Sequence, residues 1–189
     1  MTKNTLLNVA ITSCKITKMI FILLFVGFTV IFIHLQIDRS FYSSKKINVN
    51  PDSAGYFYKM KWKSNTDEDY NKIFILDKLK TGSLYITYLK LLGGLILLFL
   101  CIREFQKVMQ SVKSIKTFGM NNVRSFRKIG QFLIAYVVLT SYASFRFENG
   151  GFKGISLSFT VLFLILFAFI MAEIFKEGMV LKDENELTI

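Results

Sequence analysis

The sequence predicts an all-α membrane protein, with four transmembrane helices in a bundle and a small β-hairpin in the external loop. Of the 189 residues, 52% are hydrophobic and the mean hydropathy is +0.43, above the range of ordinary soluble domains. The chain has 20 Phe and 8 Tyr against one Pro, a balance that suits long helices facing lipid and ending in interfacial aromatics. Four apolar runs approach the roughly 20 residues needed to cross about 30 Å of hydrocarbon.

The runs are Met19–Ile37, Leu84–Ile102, Ile129–Phe145 and Ile155–Ala172. The first follows Lys15 and Lys18, is too long for a signal-peptide core and lacks a small-residue cleavage site, so it reads as an uncleaved signal anchor. The run at 129–145 is shorter and carries Gln131, Thr140, Ser141 and Ser144, which predicts that the other helices bury it. In hydrocarbon a segment must pair its own amides, so all four are expected to be helical despite their β-branched and aromatic residues. No composition break separates a second domain, and 1–189 reads as a single integral membrane domain.

Lys and Arg near helix ends set the expected orientation. The inside holds Lys3, Lys15 and Lys18, seven cations in 103–128, and Lys176 and Lys182; the outside holds nine in 38–83 and two in 146–154. Several of the nine lie far from any helix end and weigh less, so both termini are expected in the cytoplasm. The net charge of +11 is explained by this arrangement and by anionic headgroups, without direct nucleic-acid binding.

In the external loop 38–83, Tyr56, Tyr58, Met60 and Trp62 alternate with Phe57, Lys59, Lys61 and Lys63, which predicts a strand paired with Tyr70–Leu76 across Ser64–Asp69. The internal segment 103–128 predicts a basic helical hairpin. Phe105, Val108, Met109 and Val112 extend the second helix, Thr117-Phe118-Gly119 breaks it, and Asn121 or Asn122 caps the next. The tail 173–189 predicts a charged extension of the last helix, its polar coat broken by Ile174, Met179, Val180 and Leu181.

Ionisable chemistry inside the runs is almost confined to Lys90, expected to snorkel to the outer interface. Gly93 and Gly94 allow close helix approach. His34 is the only histidine, Cys14 and Cys101 stand apart near the inner surface, and no carboxylate pair, nucleophile with base or phosphate loop is present. These features predict no enzyme, no metal, no cofactor and no disulfide. Glu173, at the inner end of the last run, is expected to pair with Arg103, Arg127 or Lys128.

Two stretches resemble the YoaS-like bacterial membrane family, catalogued as a domain of unknown function. Phe118, Asn122, Val123, Arg124, Arg127, Ile129 and Gly130 fill its cytoplasmic element, of the form Phe, a few residues, Asn-Val-Arg-x-x-Arg-x-Ile-Gly. Ala172, Glu173, Phe175, Gly178, Leu181, Glu184, Asn185, Leu187, Thr188 and Ile189 fill its closing helix and Leu-Thr-Ile ending. The resemblance implies a multi-pass bacterial inner-membrane protein that accompanies a small helix-turn-helix regulator of the Cro/repressor type. The candidate interaction surface is then Phe118, Asn122, Arg124, Arg127, Glu173, Phe175, Gly178, Glu184, Leu187 and Thr188, with the lipid bilayer as the other partner. A small transporter using Lys90, Thr140, Ser141 and Ser144 is the competing expectation.

Overall fold

The computed structural model describes residues 3–43, 46–47, 58–61, 74–114, 118–147 and 150–187. Most of these lie in four helices, α1 (Lys3–Ile37), α2 (Thr81–Lys113), α3 (Met120–Ser141) and α4 (Phe159–Leu187). Five short strands intervene, β1 (Lys46–Ile47), β2 (Tyr58–Lys61), β3 (Phe74–Ile75), β4 (Tyr142–Phe147) and β5 (Gly150–Ile155).

Three helices are long and apolar enough to cross a membrane, over Thr5–Ile37, Thr81–Lys113 and Phe159–Asn185. The helix α3 is not one of them, which corrects the expectation of four such spans. Arg124, Arg127 and Lys128 occupy its first turns. The apolar remainder from Ile129 to Ser141 measures about 20 Å at 1.5 Å per residue, short of a ~30 Å hydrocarbon layer. The run expected to continue to Phe145 is cut because Tyr142–Phe147 leaves the helix as β4. Ile155, expected to open the last span, instead closes β5, and α4 starts at Phe159.

The chain divides into two compact units. The first comprises Met1–Leu23, Leu95–Val137 and Phe159–Ile189. Its core joins Cys101 and Val108 of α2, Val123, Phe126, Ile129 and Leu133 of α3, and Ala168, Ala172 and Phe175 of α4, all buried. Cys101 Sγ points at the Ile129 carbonyl, Glu104 meets Ser125 and Ser111 meets Asn122, so α2 and α3 run antiparallel. Against α4, Gly130 meets Phe169, Arg127 meets Glu173 and Phe126 meets Phe175, again antiparallel. It follows that α2 and α4 are parallel, with their charged ends together.

The second unit comprises Leu24–Gly94 and Val138–Ser158. Phe32 of α1 stacks on Tyr88 of α2 at 3.9 Å between ring centroids, and Tyr88 donates its hydroxyl proton to Thr29 Oγ1 at 3.1 Å. Leu35, Leu79, Leu84 and Phe147 form the core. Gly93 lets Leu139 approach so closely that an added Cβ would lie 2.8 Å from its Cδ2, which gives that glycine the packing role expected of it. His34 Nδ1 lies 3.1 Å from the Tyr42 hydroxyl, and its ring meets Phe41 and Tyr42 edge-on. Asp38 accepts hydrogen bonds from the Ser40 hydroxyl and the Phe41 amide, which together hold its carboxyl below the usual range.

The strands differ from the expected hairpin. β2 pairs antiparallel with β5, not with Tyr70–Leu76, and β5 in turn pairs with β4 in the order β2-β5-β4. β3 pairs with β1, Ile47 opposite Phe74. The alternating aromatic side chains of 56–63 lie outside the described residues. The end of α3 is secured by this sheet: the Ser141 carbonyl accepts from the Ser156 amide at 2.7 Å, and the Tyr142 carbonyl accepts from the Lys90 ammonium, which also lies 4.9 Å from the Tyr142 ring centroid. Lys90 therefore sets its charge at the negative end of α3.

The glycines carry a direct test. At Gly130 an added Cβ would meet the Phe169 ring at 2.8 Å, whereas at Gly27 nothing lies within 4 Å. Gly130→Val is expected to destabilise the detergent-solubilised protein by about 1–3 kcal/mol through overpacking. Gly27→Ala should not lower the thermal midpoint and should stabilise by up to about 1 kcal/mol, as it replaces a helix-interior glycine in open space.

Candidate functional site

The sequence-predicted surface resolves into separate pieces at the charged ends of α2, α3 and α4, all within the first unit. Phe118, just before α3, lays its ring over Gly178 of α4, so close that any β-carbon there would overlap the ring. Phe118 also lies 5.9 Å from the Phe175 ring centroid, and Phe175 lies 5.1 Å from that of Phe126. The three rings form a tilted stack that fixes the chain entering α3 against α4. Phe175 is buried in it, while Phe118 keeps 44% of its surface exposed.

Beside the stack, Arg127 donates to Glu173 Oε1 at 2.9 Å, and Lys176 donates to Oε2 at 3.4 Å. Of the three cations expected near Glu173, Arg127 forms the pair. All three partners are about half exposed, and ion pairs in water are screened, so the cluster orients side chains more than it stabilises the fold.

Asn122 does not cap α3. It is buried, and its Nδ2 donates to Ser111 Oγ at 3.0 Å across the α2–α3 pair. One turn along, Glu104 is buried on α2; it accepts from the Ser125 hydroxyl at 2.9 Å and pairs with Lys107 at 2.5 Å. Sequence reasoning missed this pair. Its signal was that Glu104 is the sole carboxylate in 103–128, set among seven cations.

Arg124 and Glu184 are exposed. Leu187 ends α4, with its side chain outside the described residues, as is Thr188 altogether. Phe118, Phe175 and Gly178 therefore come together, as do Arg127 and Glu173, while Asn122 faces inward.

The exposed side of the stack is a groove of about 700 Å³ lined by Phe118 and by Phe169, Ile170, Glu173, Ile174, Glu177, Gly178 and Leu181 of α4. Its walls are apolar apart from two carboxylates. Phe169, Ile170, Ile174, Glu177 and Leu181 were not among the predicted site residues, although they share the helical spacing of one α4 face. Among the described residues no group of three or more His, Cys, Asp and Glu could hold a metal, and Cys14 and Cys101 are free.

Both motif-bearing stretches lie inside a region, residues 49–189, that matches the profile of a family described as "Protein of unknown function (DUF2975)". The chain belongs to this family. No curated protein and no solved structure matches it. The DUF2975 match takes in α2, α3 and α4, and with them Phe118, Gly178 and the groove; all of α1 and the segment up to residue 48 fall outside it.

The Glu104–Ser125 bond is open to a double-mutant cycle. Glu104→Ala should cost about 1–3 kcal/mol, because it leaves a buried hydroxyl unpaired. Glu104→Ala combined with Ser125→Ala should cost less than the sum of the two single changes in chemical unfolding of the purified protein.

Proposed function

We propose that this DUF2975 protein is a non-enzymatic binding protein of the bacterial inner membrane, whose cytoplasmic face holds a soluble partner. The partner favoured by the family resemblance is a small helix-turn-helix transcriptional regulator, retained at the membrane and away from its operator. The observation that carries the reading is the Phe118–Gly178 contact. It fixes the charged extension of α4 as a rigid, exposed surface beside an apolar groove.

The proposed topology places both termini in the cytoplasm. α2 and α4 run parallel and both are apolar enough to cross, so their charged ends are proposed to share the cytoplasmic side. Seven cations in 103–128 support the cytoplasmic assignment of this end.

Co-expression with a helix-turn-helix regulator encoded beside the gene, followed by purification in mild detergent, tests the reading. The regulator is expected to co-purify with the intact chain and to be lost with Leu181→Asp, an exposed position that folding does not need. Retention of the regulator by the variant, or its absence from the intact complex, would refute the proposal.

A further inference from the structure

The stripe of large apolar residues along one face of α4 does not stop where the apolar run stops. Phe163, Phe167 and Ile170 are exposed along the stretch apolar enough for lipid to cover. From Glu173 onward the helix carries five carboxylates and two lysines, a composition that belongs in water. Yet Ile174 and Leu181 continue the stripe there, 51% and 58% exposed, and they line the groove with Phe118. Lipid cannot account for that part of the surface.

The polar groups of the groove define what can. Glu173 and Glu177 are its two charged lining residues; Arg127 and Lys176 already neutralise Glu173, and among the described residues Glu177 forms no ion pair. A second copy of α4 laid along the same stripe would set Glu177 against Glu177 in an apolar seam, which is repulsive. The anionic headgroup of a lipid would meet the same carboxylate. A helix with an apolar face flanked by Lys or Arg satisfies both the walls and the charge.

We propose that the groove between Phe118 and the Ile174–Leu181 face of α4 is a docking site for a basic amphipathic helix of a cytoplasmic protein. This deepens the binding function proposed above and rests on it. Ile174 to Leu181 extends about 10 Å, so the docked helix meets this face over about two turns, with a cation opposite Glu177.

The test uses the full chain in an uncharged detergent and two fluorescent Leu-rich helical peptides of about 14 residues, one with a Lys polar face and one with a Glu polar face, read by anisotropy. The protein carries a net charge of +11, so non-specific electrostatics favours the acidic peptide. The expected result is the reverse: the Lys peptide binds at least about tenfold more tightly, a difference of about 1.4 kcal/mol, and Glu177→Lys abolishes that preference. Leu181→Asp should weaken the Lys peptide without changing the thermal midpoint. Equal binding of the two peptides, or a preference that survives Glu177→Lys, overturns the proposal, as does a covalent dimer formed through Ile174→Cys that saturating Lys peptide fails to suppress. A regulator that co-purifies while the peptides show no preference leaves the binding function standing and removes this inference alone. A charge-selective groove with no co-purifying regulator does the opposite.

Discussion

Where Phe118 lies across Gly178, a helix has given up a side chain to receive a ring from the neighbouring element. A glycine inside a helix costs about 1 kcal/mol relative to alanine, so its presence needs an offsetting contact. Here the offset is the burial of an aromatic face against the α4 backbone. Gly130 repeats the device with the roles exchanged, α3 supplying the notch and Phe169 of α4 the ring. The two contacts together hold α3 and α4 close, and that closeness brings Arg127 within hydrogen-bonding distance of Glu173 and leaves the groove open on the far side of Phe118.

Hydrophobicity alone made α1, α2 and α4 legible, because in lipid a long apolar run has few structures open to it. The end of α3 was not legible. Tyr142, Ala143, Ser144 and Phe145 continue the composition of the preceding helix, and their departure into β4 depends on pairing with β5 and on Lys90 reaching the Tyr142 carbonyl. The Asn149-Gly150 dipeptide, a hairpin signal, lies eight residues beyond Ser141 and favoured strands on either side of it. The pairing of β2 with β5 joins segments about ninety residues apart, a relation that local periodicity does not carry.

Within the site, the Arg127–Glu173 pair could be anticipated from opposite charges at facing helix ends. Phe118 and Gly178 were each singled out by the family pattern, but nothing in their spacing linked them. Glu104 and Ser125 illustrate a different limit. A buried carboxylate beside a serine on a neighbouring helix leaves no periodic trace in either segment, and only the α2–α3 register brings them together. That bond and the Asn122–Ser111 bond place polar groups inside an otherwise apolar interface. Because each is satisfied in one register only, a slip of α3 along α2 would leave both unpaired.

The continuity of α4 has a mechanical meaning. From Phe159 to Leu187 the helix is unbroken, so the apolar portion and the charged portion share one rod with no linker at the bilayer surface. A load applied near Leu181 is not absorbed by a hinge, because every turn up to Phe159 is hydrogen-bonded to the next. The Gly130–Phe169 and Phe118–Gly178 contacts grip this rod at two heights, so its apolar and charged portions keep one fixed orientation against α3.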